Sequence, residues 1–315
     1  MTQFRLSETA KGVYIISATP FTEDGAIDYA SADRLVEFYI EHGVSGITIL
    51  GMMGEAPKLS SNEAEQFLAH MMARVADRVP VIVGVSNAGL DNLKDLSLSA
   101  MEKGACGVMI APPGGLSTDE KLYGYYARVC EALGPDIPVC YQDFPLSTGV
   151  SISPTLFNRM VENLPQLVML KHEDWPGLNK LSAIRKASES GDVRRVSILV
   201  GNGGLYLPQE LARGADGAMT GFAYPEMLVQ VVEKYTAGHQ DQAEDLFDAY
   251  LPLVRHEQQP GFGLAVRKEV LRRRGVLGSA ATRAPGPKLT GDDHTELTRM
   301  MDRLEKRLKE INHGS

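Results

Sequence analysis

The chain has 315 residues, 43% of them hydrophobic, enough for a large core, and α/β barrels of this length commonly form one continuous domain. Its 32 basic and 40 acidic residues give a formal charge of −8, which speaks against nucleic acid or an anionic membrane as partner, and no apolar run approaches the roughly 18 residues of a bilayer span. Met1-Thr2-Gln3-Phe4-Arg5 lacks a secretory pattern, and the three cysteines, Cys106, Cys130 and Cys140, have no CxxC spacing, so buried reduced thiols in a cytoplasmic protein are expected.

Short apolar runs alternate with helical stretches along the chain. The expected strands are Val13–Ser17, Gly46–Leu50, Val81–Val85, Gly107–Ile110, Val139–Gln142, Leu167–Leu170, Ser197–Val200 and Gly217–Met219. Between them lie apolar residues at helical spacing, such as Leu35, Phe38 and Tyr39, or Phe67, Leu68, Met71 and Val75. Strands about 25–35 residues apart, each followed by a helix, predict parallel βα units with right-handed crossovers. Eight units by residue 236 predict a (β/α)8 TIM barrel over residues 1–236. A doubly wound sheet is the alternative, but no GxGxxG turn follows the first strand. Beyond residue 236 the strand pattern stops. Residues 240–256, 260–275 and 292–312 read as helices and 278–291 as a Gly/Pro/Ala-rich loop, giving a small C-terminal helical cap over 237–315.

In such barrels the chemistry sits at the C-terminal strand ends. These ends hold Thr19-Pro20, Gly51 to Glu55, Ser86-Asn87, Pro112-Pro113, Gln142 to Pro145, Lys171-His172-Glu173, Gly201 to Gly204 and Thr220-Gly221-Phe222. Lys171 follows the apolar run Leu167–Leu170 directly. Burial disfavours an ammonium, and the neutral amine is a nucleophile for carbonyl carbon. Alone, Lys171 reads more readily as a strand-end lysine paired with a carboxylate. One lysine among glycines and few charges suits a small anionic carbonyl compound. No His/Asp/Glu cluster has metal-ligand spacing and no P-loop is present.

Thr19-Pro20-Phe21, Gly51-x-x-Gly54-Glu55, Pro138 and Pro145 around the fifth strand, and Lys171 on the sixth together resemble the dihydrodipicolinate synthase/N-acetylneuraminate lyase family of Schiff-base barrels, over residues 12 to about 312. The resemblance implies that Lys171 forms an iminium with the ketone of a 2-oxo acid. It implies that backbone amides of the 51–55 loop hold the substrate carboxylate, that no metal or organic cofactor is used, and that the protein is a homo-oligomer, a tetramer or dimer. The substrate-binding set then comprises Thr19, Gly51, Met53, Gly54, Glu55, Asn202, Gly203 and Thr220.

The chain departs from the family pattern where protons are moved. The family tyrosine after the fifth strand is Gln142, the two threonines of its second-strand loop are Met52 and Met53, and the arginine two residues after the proline is Ser147. Tyr141 is one residue off, and strand alternation turns it towards the helices if Gln142 faces the barrel. Gln142-Asp143-x-Pro145, Lys171-x-Glu173, Gly217-Ala218-Met219-Thr220-Gly221 and Leu253-x-x-His256-Glu257 resemble the 2-keto-3-deoxy-L-arabonate dehydratase subgroup. Its second-strand loop differs from Gly51–Glu55.

Chemistry points the same way. An iminium at C2 acidifies the C3 hydrogens, and Glu173, two positions past the lysine, shares its face and can remove one. The enamine then expels the C4 hydroxyl. Aldol cleavage needs a base on that hydroxyl, and a glutamine can only orient it. The expected activity is therefore dehydration of a 2-keto-3-deoxy sugar acid, the L-arabonate derivative giving 2-oxoglutarate semialdehyde, with Lys171, Glu173 and Gln142 as the catalytic group. A pyruvate-dependent class I aldolase and a non-catalytic 2-oxo acid sensor are the alternatives. By position alone Glu173 is equally a surface carboxylate, Met52 and Met53 are packing, Glu55 favours the start of a helix, and His172 is structural. Ser17 and Thr19 either support the lysine or close a turn, and His256 and Glu257 cap a helix or meet another subunit.

Overall fold

The computed structural model describes residues 3–314. Eight strands occur in the expected places: β1 Gly12–Ile16, β2 Gly46–Ile49, β3 Val81–Gly84, β4 Gly107–Ile110, β5 Val139–Asp143, β6 Leu167–His172, β7 Ser197–Val200 and β8 Gly217–Thr220. Seven of them are buried at every residue, as runs such as Val-Ile-Val in β3 require when a parallel sheet is covered on both faces. They pair in sequence order, all parallel, and β8 closes onto β1 to make a barrel.

The helices α1 Tyr29–Glu41, α2 Ser61–Val75, α3 Leu90–Glu102, α4 Asp119–Leu133, α5 Pro145–Thr148, α6 Pro154–Asn163, α7 Leu178–Glu189, α8 Leu207–Ala212 and α9 Pro225–Thr236 follow the strands. Their starts are legible chemically. Ser60 and Glu63 form a reciprocal capping box on α2, and Ser153 with Pro154 opens α6. Two apolar layers result. Ile16, Ile82, Met109, Cys140, Met169 and Met219 fill the barrel interior, while Val83, Val108, Tyr141, Leu170 and Ile198 pack outwards against the helices. All three cysteines are buried and unpaired, and burial pushes the Cys140 thiol up to about 12.

Three strands, β5, β6 and β8, run further than their apolar residues. β6 continues through Lys171 and His172, which pair in register with Gln142 and Asp143 of β5, so the lysine belongs to the strand instead of following it. The backbone ladder persists where the side chains turn polar, and apolarity alone cannot mark that end. After α9 come α10 Gln240–Glu257, α11 Gly263–Arg273 and α12 Gly291–Gly314, with α10 packed on α9 and α12. The segment 278–291 is irregular but anchored. Arg283 reaches both oxygens of Glu63 at 2.7 and 2.9 Å and the carbonyls of Gly25 and Lys58.

Candidate active site

At the C-terminal end of β5 and β6, Gln142 and Lys171 are register partners and both face the interior. Glu173, two residues on, returns to the same face by the twofold alternation of an extended chain. Its Oε2 lies 2.9 Å from Lys171 Nζ and accepts from Gln142 Nε2 at 2.7 Å. Lys171 is 4% exposed and Glu173 8%, so the surface-carboxylate alternative for Glu173 fails. Asn202 Nδ2 donates to the Glu173 carbonyl at 3.1 Å. Gly201 is required beside this pair, because a Cβ there would collide with the Glu173 carboxylate.

The intervening side chains face outwards and brace the strands. Asp143 accepts from Lys180 Nζ at 2.7 Å, Lys180 also donates to Asp174 at 2.8 Å, and His172 Nε2 lies 3.0 Å from the Gly177 carbonyl. Tyr141 packs with its ring 4.8 Å from that of Tyr126 and also against Phe157. Burial drives the pKa of its phenol well up. No tyrosine is among the residues that line the lysine cavity.

That cavity, about 70 Å³, is lined by Met53, Asn202, Gly203 and Thr220 from the expected substrate-binding set, together with Lys171, Glu173 and Gln142. The Thr220 hydroxyl accepts from the Gly203 amide at 2.7 Å, fixing the turn after β7 against the end of β8. Four expected residues are placed elsewhere. Thr19 donates its hydroxyl to the Gly54 carbonyl at 2.6 Å, and Ser17 donates to the Ala18 carbonyl, so both close turns and neither bonds the lysine. Gly51 lines an adjoining cleft of about 800 Å³ beside the β2 and β3 loops, which shares Met52 and Gln142 with the lysine cavity. Gly54 and Glu55 have their amides spent inside the 3-10 turn that opens at Met52.

Glu55 is the clearest correction. Its carboxylate accepts from Lys268 Nζ at 2.6 Å, Lys58 Nζ at 2.8 Å and the Arg283 amide at 3.0 Å. Three donors engage both its oxygens, and it ties α11 and the 278–291 segment to the second-strand turn. Met52 and Met53, whose amides open the turn with no carbonyl one turn back, both line the cavity.

Residues from beyond position 236 also enter the site. Gln258 and Arg267 line the cavity. Arg267 is 3% exposed, and its Nε donates to Glu257 Oε1 at 2.6 Å, while Glu257 Oε2 accepts from the Ala223 amide at 3.2 Å. Burial raises the Glu257 pKa and Arg267 opposes that rise. Glu257 thus neither caps a helix nor faces solvent; it orients a buried guanidinium. Arg-Lys-Glu at 267–269 is buried although all three residues are charged, and nothing in the local sequence marks them as site-facing.

The model of the dihydrodipicolinate synthetase family matches residues 9–304. The chain belongs to that family. Over 299 residues it is 32% identical to L-2-keto-3-deoxyarabonate dehydratase of Azospirillum brasilense, covering 94% of each chain. It is 30% identical to 4-hydroxy-tetrahydrodipicolinate synthase of Clostridium perfringens over 78% of this chain and 81% of that one. A crystal structure described as dihydrodipicolinate synthase from Rhodopseudomonas palustris superposes with a TM-score of 0.93 at 47% identity, covering 96% of this chain and all of that one.

Membership of the dihydrodipicolinate synthetase family makes the protein an enzyme, a lyase of the class I aldolase superfamily. Among the described residues no helix is long and apolar enough to cross a membrane, and no group of three or more His, Cys, Asp or Glu is arranged to hold a metal ion.

Proposed function

We propose that this enzyme is a Schiff-base hydro-lyase that dehydrates a 2-keto-3-deoxy sugar acid, 2-keto-3-deoxy-L-arabonate giving 2-oxoglutarate semialdehyde. The observation that carries this reading is the Glu173 carboxylate held between Lys171 Nζ and Gln142 Nε2, with no tyrosine hydroxyl in the cavity. Glu173 accepts a proton from Lys171, freeing the amine to attack C2, and returns it to the carbinolamine hydroxyl, which leaves as water to give the iminium. Glu173 then removes a C3 proton, and the enamine expels the C4 hydroxyl as water after protonation. Loss of a C5 proton and reprotonation of the carbon chain give the aldehyde, and hydrolysis releases Lys171. Gln142 holds Glu173 in place throughout, and the Met52 and Met53 amides receive the carboxylate. The barrel that carries the lysine ends at residue 236, and the helical region after it completes the cavity. The same reading carries a cytoplasmic homo-oligomer, a dimer or tetramer, with a small 2-oxo acid as its partner.

The 47% identity to a chain described as a synthase favours a second reading, carbon–carbon bond chemistry on pyruvate. One experiment separates the two. The protein is incubated with 2-keto-3-deoxy-L-arabonate, reduced with borohydride and weighed intact. A dehydrated five-carbon adduct on Lys171, absent from Lys171→Ala along with all turnover, is expected. A pyruvate-sized adduct would assign aldol chemistry instead, and substantial turnover by Lys171→Ala would remove the Schiff base altogether.

A further inference from the structure

Arg267 Nη1 is buried and has no hydrogen-bond partner, although the same side chain lines the lysine cavity. Burying an N–H of a guanidinium without an acceptor is costly, so such a group normally awaits one. Two ion pairs hold it ready. Glu257 takes Nε at 2.6 Å, and the next residue, Lys268, is pinned to Glu55 at 2.6 Å, which fixes α11 against the second-strand turn. Space is left for it at Gly221, where a Cβ would collide with Nη1.

We propose that Arg267 is a substrate-binding residue whose Nη1 donates to the carboxylate of the bound 2-oxo acid, a role that rests on the Schiff-base reading above. The direction follows from the trigonal C2 atom. Lys171 approaches from β6, and Glu173, which must reach C3, stands against Gly201 after β7. The carboxylate leaves C2 away from C3, towards the arc formed by Gly221 after β8, Ile16 of β1 and the Met52-Met53 turn after β2. Arg267 sits on that arc. Charge agrees: Lys171 and Glu173 balance each other, as do Arg267 and Glu257, so an incoming carboxylate leaves the cavity one negative charge in excess. A planar guanidinium with a free N–H is the donor that accommodates it best. Gln258, which crowds Gly203, also lines the cavity.

The test uses borohydride trapping of pyruvate and of methyl pyruvate, which carries the same ketone without the charge. In Arg267→Met/Glu257→Gln, which removes the buried pair together, half-saturating pyruvate should rise about 10–100-fold. Methyl pyruvate should change by less than about threefold, and Arg267→Lys should recover part of the pyruvate loss. An unchanged pyruvate dependence overturns the proposal, as does an equal loss for ester and acid, which would mean loosened structure. Should the double variant fail to fold, Arg267→Lys alone decides by the same acid-to-ester comparison. A wild type that traps pyruvate in an Arg267-dependent way yet dehydrates no sugar acid would sink the dehydratase and leave Arg267 assigned; one that traps neither ketone sinks both.

Discussion

Glu173 is the residue on which the assignment of the reaction turns, because it alone touches both the lysine and the glutamine that replaces the family tyrosine. Glu173→Gln keeps the shape and the hydrogen bond to Asn202 through the backbone, but cannot accept a proton. Adduct formation at Lys171 should survive, slowed, while dehydration falls by roughly 10²–10⁴-fold, the usual worth of a general acid–base. Single-turnover quench with and without borohydride separates the two steps, and near-normal dehydration would place the proton transfer elsewhere. The inward turn of Gln142 and the outward turn of Tyr141 were legible in sequence, because strand alternation is rigid. The placing of Thr19 and Glu55 was not. Both belong to a family motif, and a motif does not record whether a side chain faces the ligand or holds the loop that does.

At the scale of elements, α11 decides more than its composition suggests. Its run Arg267-Lys268-Glu269 is almost completely buried, each residue meeting a counter-charge: Glu257, Glu55 and the pair Arg272 and Arg273. Lys268 and Glu55 stand 213 positions apart in the chain, beyond the reach of periodicity, so sequence spacing gives no sign of their pairing. Glu55→Ala would strand the Lys268 ammonium, 0% exposed, with the Ala281 carbonyl as its remaining acceptor. Removing one partner of a buried pair costs about 3–5 kcal/mol, whereas replacing both by apolar groups is often neutral. Urea denaturation should therefore show Glu55→Ala strongly destabilised and Glu55→Met/Lys268→Met less so, its remaining cost coming from the Lys58 and Arg283 donors that lose their acceptor. A single-variant cost under about 1 kcal/mol would mean that water reaches the ammonium and that the latch is not what holds α11.

Across the whole molecule the βα period specified the barrel, since seven of the eight strands are buried at every residue and long helices such as α1, α2 and α4 each offer an apolar face; charge inside that envelope is what periodicity hides. Glu210, on α8, is a case with a consequence for global stability. Its Oε2 has no partner, and burial raises its pKa from the ordinary 4.5 to about 8. Below pH 4.5 the carboxyl is protonated whether the chain is folded or not, and it contributes nothing to the pH dependence. Between pH 4.5 and 8 the unfolded chain releases the proton while the folded chain retains it, so the folded state loses stability as pH rises; above pH 8 the loss levels off. Glu210→Gln removes this titration and leaves every other group in place. Its stability relative to wild type should rise by a few kcal/mol between pH 4.5 and pH 8, read from urea midpoints at the two pH values. The comparison between pH values cancels any fixed cost of burying the amide. A difference that stayed flat through that window would mean the carboxyl is solvated in the native protein, and its burial beneath α8 would have to be redrawn.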